Sequence, residues 1–347
     1  LGSRHLGESQ PSHGGGKVIV LAAFVALVVS LAVQPTAIRL LQSRAVLDIP
    51  NERSSHAVPT PRGGGLVVVG ALLLGLCFLA ADVQIIGFGL TILAAGVLGF
   101  IEDVRGVPVV ARLGAQLVCS IPVLVAALSG TVSLWLLAPV GAAFIVGAIN
   151  SVNFMDGING ITAGFCIAAG LSYALVFGSI AEPVLAGAAL TVVAASAGFL
   201  PYNARRARIF LGDSGSYGLG AATGGLGVLA WAAGAQPEAA LAPFAIYIAD
   251  TATVVIRRLR AGEPIHEAHR THSYQRLTDL YWSHQRVALF VSGLTLACGL
   301  LGWVGLFNPG LRVVTDLAIL AVAAAYLVSP RLLTTRQAGE TEELHAS

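Results

Sequence analysis

The chain has 347 residues, of which 56% are hydrophobic and only 11% charged, with a formal net charge of +2 at neutral pH and a mean hydropathy of +0.80. Soluble domains carry about 25% charged residues, so this composition excludes an ordinary water-soluble enzyme and indicates a polytopic membrane protein. The near-balanced charge gives no footprint for nucleic acid, and the arginines read instead as topogenic or anion-binding groups.

Residues 1–16 are polar and bear Gly, Ser and His; they read as a tag remnant or disordered lead-in, outside the fold. A single transmembrane domain is expected over 17–330. A bilayer core about 30 Å thick needs about 20 apolar residues per helix. Apolar stretches predict about eleven helices, near 18–41, 66–81, 85–101, 113–128, 132–149, 161–177, 184–200, 217–233, 239–256, 287–306 and 313–328. They lack the period-two alternation of a transmembrane barrel, so the expected fold class is all-α, with a polar tail over 331–347. Cys77, Cys119, Cys166 and Cys298 sit singly within spans and read as small apolar packers.

Arginines fall in alternate connections: Arg44, Arg53 and Arg62; Arg105 and Arg112; Arg205, Arg206 and Arg208; then the run from Arg257 to Arg286. By the positive-inside rule these connections are cytoplasmic, which puts the N-terminus outside and the tail inside, with Arg312 as the exception on the outer side. The cytoplasmic loops are expected near 42–65, 102–112, 150–160, 201–216 and 257–286.

Polar islands on that side carry the candidate chemistry. In the first loop Arg53, His56 and Arg62 precede the triple glycine 63–65, which opens a helix. Glycines let backbone amides approach an anion, and a helix N-terminus favours negative charge; an ordinary polar turn is the other reading. Glu102 and Asp103 end a helix side by side, an arrangement that suits a cation or a proton held between them; a solvated helix-end pair is the other reading. Asn150 and Asn153 are three residues apart, so on a helix both amides share a face running toward Asp156, with Asn159 just beyond. Amides donate and accept, which suits a nucleobase or a sugar, although such residues also join helices in membranes. Asp213 sits between Gly212 and Gly215, close to Arg205, Arg206 and Arg208; a carboxylate in that setting suits Mg²⁺ carrying a phosphate, or a helix cap. His266, His269, Arg270, His272 and Arg276 fill the longest loop. Without a Cys or further ligand nearby, pyrophosphate recognition by His and Arg is the better reading than zinc. Asp250, inside the ninth span, reads as functional by default, with Arg257 or a site residue as partner, or as a plain interhelical hydrogen bond.

Taken in order from about 48 to 277, these segments resemble the polyprenyl-phosphate N-acetylhexosamine-1-phosphate transferase family, relatives of undecaprenyl-phosphate GlcNAc-1-phosphate transferase and phospho-MurNAc-pentapeptide transferase. The resemblance rests on Arg53-Ser-Ser-His56, Pro59-Thr-Pro-Arg62-Gly-Gly-Gly, the Gly-Phe-Ile-acid-Asp run ending at Asp103, Asn150-x-x-Asn153-x-x-Asp156-Gly, Gly212-Asp213-Ser-Gly-Ser216 and His269-Arg-x-His272-x-Tyr-Gln275. It implies an Mg²⁺-dependent phosphoglycosyltransferase (Mn²⁺ as substitute) in the bacterial inner membrane, active at the cytoplasmic face. The enzyme would move a sugar 1-phosphate from a UDP-N-acetylhexosamine to undecaprenyl phosphate, releasing UMP and beginning a cell-surface polysaccharide of the O-antigen type.

By position, the resemblance makes Asp213 the metal-binding aspartate, with Asp103 as second metal and acceptor-orienting acid beside Glu102. Asn150, Asn153, Asp156 and Asn159 become the donor-binding set, and His269 and His272 the catalytic histidines. Arg53, His56, Arg62, Arg270 and Arg276 would bind substrate phosphates. Two positions depart from the family pattern. Glu102 stands where Asp is usual, displacing its oxygens by roughly 1 Å, and such misplacement can lower a rate about a hundredfold. Asn159 stands where an acid is usual. These departures keep one alternative open, a weakened relative that binds or scaffolds the lipid carrier. A secondary transporter fits less well, because its site should lie at the midplane between repeats. A homodimer is compatible with the sequence, but abundant Gly and Ala leave no diagnostic stripe.

Overall fold

The computed structural model of the chain describes residues 13–50, 58–129, 138–263 and 271–346. Among these the order is α1 (His13–Ser43), β1 (Leu47–Asp48), β2 (Thr60–Pro61), α2 (Gly64–Leu76), α3 (Val83–Arg105), α4 (Val109–Leu128), α5 (Ala138–Met155), α6 (Ile161–Ser179) and α7 (Pro183–Asn203). Then come α8 (Gly212–Ala232), α9 (Pro237–Leu241), α10 (Ala245–Ala261), α11 (Ser273–Asp279), α12 (His284–Phe307) and α13 (Arg312–Ala346). The chain is an all-α polytopic membrane protein, and each of the eleven expected spans has its helix.

Nine helical segments among the described residues are long and apolar enough to cross a bilayer. The other two long helices depart for identifiable reasons. The segment Gly64–Leu79, comprising α2 and one further turn, is short for a crossing. Helix α8 is too rich in Gly to register as greasy, yet it is buried almost along its whole length, from Gly212 to Ala230. It packs against α2, α3, α4, α5, α6 and α7, so protein rather than lipid surrounds it, and small side chains let those neighbours approach. Lipid-facing apolar side chains lie on the outer helices instead, among them Phe24 on α1, Val118 on α4, Leu289 on α12 and Leu320 on α13.

Helix ends follow local chemistry. Asp82 accepts a hydrogen bond from the Gln84 amide at 2.7 Å to start α3, and Ser283 caps α12 through the Arg286 amide at 3.3 Å; each replaces a partner the first turn lacks. The described part of α5 begins at Ala138 and continues to Met155, beyond the expected end at 149. Asn150 and Asn153 therefore lie within its last turns. The two short strands pair antiparallel, Leu47 opposite Pro61 and Asp48 opposite Thr60, and Arg62 forms a parallel bridge to Phe210. This clips the connection after α1 onto the segment leading into α8.

Candidate active site

Three helix ends meet almost backbone to backbone. A Cβ on Gly65 would stand 2.3 Å from the Gly215 backbone, and one on Gly99 would stand 2.2 Å from the Asp213 carbonyl oxygen. The glycines at the start of α2, the end of α3 and the start of α8 are thus needed for close approach. This corrects the anion-cradle reading of the triple glycine. The amides of Gly63 and Gly64 donate to the Phe210 carbonyl at 3.1 and 2.9 Å, and Gly65 donates to Leu211 at 2.8 Å, so these donors are already engaged.

Close approach brings Asp103 over the first turn of α8. Its Oδ1 accepts from the Asp213 amide at 3.0 Å and its Oδ2 from the Ser214 amide at 2.9 Å. Gly212, at φ 76°, makes the left-handed turn that presents those amides. A Cβ there would come within 2.9 Å of Asp103 Oδ2. Asp103 therefore acts as a capping carboxylate supplied from another helix, favoured by the positive end of α8. Arg62 lies between the two acids, 2.9 Å from Asp103 Oδ1 and 3.1 Å from Asp213 Oδ1. Burial alone would lower the Arg62 pKa, but Asp213 and Asp103, with Asp48 and Asp156 beyond them, outweigh it and the net shift is upward. Asn153 completes the cluster, its Nδ2 donating to Asp213 Oδ1 and to Ser216 Oγ, both at 3.0 Å.

These groups border a pocket of about 270 Å³ lined by Asp48, Arg62, Asn153, Asp156, Asn159, Asn203, Phe210, Asp213, Gln275 and His284, among others. Thr162 donates to Asp156 Oδ1 at 2.6 Å. Burial, partly offset by that hydrogen bond and reinforced by the nearby Asp213 charge, pushes the Asp156 carboxyl up to about 6. Asn203 fixes the pocket wall by accepting from the Gly160 amide at 2.6 Å and donating to the Ile209 carbonyl at 3.0 Å. The Asn159 amide donates to His284 Nδ1 at 3.5 Å. Tyr274 donates to the Phe154 carbonyl at 3.2 Å, and a Cβ on Gly157 would strike its hydroxyl at 2.2 Å.

Arg62, Asn153, Asp156, Asn159 and Asp213 thus line one pocket, with Asp103 directly behind them. Other expected residues lie elsewhere. Glu102 is turned toward α4, where Arg112 pairs with its Oε1 at 3.0 Å. Asn150 donates to Gln116 at 2.6 Å and to the Val146 carbonyl at 2.8 Å, so this amide joins α5 to α4 and the shared-cleft reading holds for Asn153 alone. His272 is buried at the start of α11, 3.4 Å from Asp250. Asp250 accepts from the Ser273 amide at 3.0 and 3.1 Å and from the Tyr326 hydroxyl at 2.7 Å; its neighbour is thus the candidate site residue His272 rather than Arg257, and its bonds to α11 and α13 are interhelical ties. Neither His272 nor Arg276 lines the pocket. Arg53, His56, His266, His269 and Arg270 lie outside the described residues.

Asn203 and His284 escaped the sequence reading, and Gln275 entered it only as the end of the histidine motif, with no role assigned. Asn203 carried a signal, a lone amide at the end of an apolar span beside the Arg205–Arg208 cluster. His284 resembled any polar residue opening a helix.

The donor set bears on a metal. Among the described residues no three His, Cys, Asp or Glu side chains converge as ligands. A cation would therefore take one or two carboxylates and complete its shell from phosphate and water, which is the habit of Mg²⁺. Among the described residues, Asp48, Asp156 and Asp213 line the pocket with one arginine, Arg62. A polyphosphate entering it would meet excess negative charge, which a divalent cation would neutralise. The residues fit such an ion, with Asp213 best placed to hold it.

Residues 85–231 match the family model described as glycosyl transferase family 4. A decaprenyl-phosphate N-acetylglucosaminephosphotransferase from Mycolicibacterium smegmatis is 30% identical over 298 residues, covering 70% of this chain and 71% of the relative. A probable undecaprenyl-phosphate N-acetylglucosaminyl 1-phosphate transferase from Bacillus subtilis is 29% identical over 292 residues, or 79% of this chain and 81% of the relative. A phospho-N-acetylmuramoyl-pentapeptide-transferase from Halalkalibacterium halodurans is 25% identical over 307 residues, or 79% and 93%.

Proposed function

The chain belongs to glycosyl transferase family 4, the polyprenyl-phosphate N-acetylhexosamine-1-phosphate transferases, and from that membership we propose that it transfers a HexNAc 1-phosphate from a UDP-sugar to undecaprenyl phosphate. The convergence of Arg62, Asn153 and Asp213 on one pocket, with Asp103 directly behind them, supports this reading.

The reaction exchanges one phosphoanhydride for another. An acceptor phosphate oxygen attacks the β-phosphorus of the donor, the bond to UMP breaks, and UMP leaves with the electron pair. Catalysis of such a step is mostly positioning and neutralisation of nonbridging oxygens. Mg²⁺, held by Asp213, would supply that neutralisation at the pyrophosphate. Arg62 adds a fixed guanidinium suited to two phosphate oxygens at once. Asp103 orients: with both oxygens accepting backbone amides, it fixes the first turn of α8 and so the position of Asp213. Asp156, Asn159 and Asn203 form the polar wall suited to a nucleoside.

The two departures from the family pattern do not favour a noncatalytic protein. The longer Glu102 side chain is absorbed by its pairing with Arg112, away from the pocket. The Asn159 amide side chain still offers a donor and an acceptor there.

The test is UMP release by the full chain in lipid, with undecaprenyl phosphate and a panel of UDP-N-acetylhexosamines, with Mg²⁺ and with chelator. We expect release that needs the lipid acceptor, the metal and one donor. Folded protein that releases no UMP across the panel would overturn the proposal.

A further inference from the structure

A second cavity, of about 720 Å³, shares Phe210 and Asn159 with the pocket above but has the opposite electrostatic character. Its walls come from the last turns of α1, the approach to β2 and the connection between α7 and α8. Arg39, Arg205, Arg206 and Arg208 line it, and no carboxylate does among the described residues.

Among the described residues no carboxylate pairs with this group. Arg39 Nε donates to the Pro35 carbonyl of its own helix at 3.3 Å. Arg208 lies over the Tyr202 ring at 5.3 Å. Four guanidiniums around one cavity repel unless an anion joins them, and guanidiniums suit phosphate oxygens above other anions. The cavity is also partly apolar, floored by the buried Ile38 and by prolines. Along the same stripe of α1, one and two turns before Pro35, exposed Leu31 and Val28 continue that face, as a lipid-facing surface does. An apolar floor, a basic rim and an adjoining apolar helix face match a phosphate that carries hydrocarbon.

We propose that this cavity binds the phosphodiester headgroup of an acidic phospholipid, with its acyl chains lying against α1. The site is separate from the donor pocket and its occupancy does not depend on the transferase activity.

The test uses the purified full chain in nanodiscs of phosphatidylcholine containing increasing phosphatidylglycerol, with the retained lipid quantified by native mass spectrometry. About one phosphatidylglycerol should be retained selectively per chain, and the triple variant Arg205→Gln, Arg206→Gln, Arg208→Gln should lower its relative affinity at least roughly tenfold. The double variant Arg257→Gln, Arg260→Gln, which removes charge from α10, should leave it unchanged. If the triple variant fails to fold, Arg205→Gln with Arg206→Gln takes its place. Undiminished retention in the 205–208 variants overturns the proposal, as does equal loss in the α10 control. Two competition arms separate other sources of phosphate. Displacement of the lipid by millimolar inorganic phosphate would make the site one for free phosphate, and displacement by UMP would make it part of the donor site. Either result overturns the lipid assignment.

Discussion

Arg62 holds two carboxylates at once, Asp103 at 2.9 Å and Asp213 at 3.1 Å, yet the two acids are built for different tasks. Asp103 spends both oxygens on α8 amides, whereas Asp213 faces the pocket. Asp213→Asn should therefore lower UMP release at least about a hundredfold, the scale for losing one electrostatic group at a reacting phosphate, with little change in thermal midpoint. Asp103→Asn turns an NH₂ toward a backbone N–H and uncaps the helix. It should destabilise the fold by about 0.5–2 kcal/mol, visible as a lowered midpoint in the same detergent. Equal midpoints for the two variants would contradict the division of labour. Asp156 behaves differently again. Its carboxyl is raised from 3.8 to about 6, so the folded state holds this proton more tightly than the unfolded chain does. Its contribution to stability is greatest below pH 4, declines as pH rises through about 6, and stays low above that. In metal-free protein Asp156→Asn should remove the decline. The variant should match the parent near pH 4 and exceed it at pH 7.5 by on the order of 2 kcal/mol, while losing activity. A thermal-midpoint series across pH, in chelator, checks the sign.

At the scale of elements, the site depends on α2, α3 and α8 meeting without side chains between them. Gly65 and Gly215 face each other in α2 and α8, and a Cβ on Gly65 would overlap the Gly215 backbone at 2.3 Å, whereas one on Gly70, in the same helix, would meet nothing within 4 Å. Gly65→Ala should thus destabilise by about 1–3 kcal/mol and disable transfer by parting Asp213 from Arg62, while Gly70→Ala is neutral or slightly stabilising. Thermal midpoints and UMP release for the pair decide this, and equal behaviour would refute the packing argument. The same helices show how far a sequence can be read. Apolar spans announce themselves because each must satisfy its own backbone in lipid, and the site motifs stood out because charged and amide residues are rare at membrane boundaries. Which polar residue faces the pocket was not legible. Asn150 and Asn153 share a helix face, yet a neighbouring Gln116 on α4 claims the first and Asp213 the second. Glu102 and Asp103 are adjacent, yet Arg112 draws one away. The triple glycine spoke of backbone access, but whether a ligand or another helix used it depended on α8, some 150 residues later. Long-range partners decide such matters, and no local pattern encodes them.

Across the whole molecule, polar contacts sort the connections into two sets. Arg62, Asp103, Asn153 and Asp213, which follow or close α1, α3, α5 and α7, touch one another. At the other end Glu238, which follows α8, takes Arg312, which opens α13, at 2.5 and 2.6 Å, and Ser179 at the end of α6 accepts from Trp303 near the end of α12 at 2.9 Å. Alternate connections grouped in this way are what eleven successive crossings require, with the termini on opposite sides. Arg312, the lone arginine that broke the charge asymmetry, is neutralised by Glu238, both of whose oxygens accept from its Nη2, so it adds little positive charge to its side of the membrane. By the positive-inside rule the remaining asymmetry predicts that the candidate pocket opens on the cytoplasmic side, the side on which the proposed nucleotide-sugar donor would be available. In a cysteine-free background, Asn308→Cys, between α12 and α13, should then react with a membrane-impermeant maleimide in intact cells, whereas Arg260→Cys, at the end of α10, should react only after permeabilisation. Labelling of both in intact cells would break the eleven-crossing topology. The reverse pattern would keep the crossings but invert the protein, placing its donor pocket where no UDP-sugar could reach it.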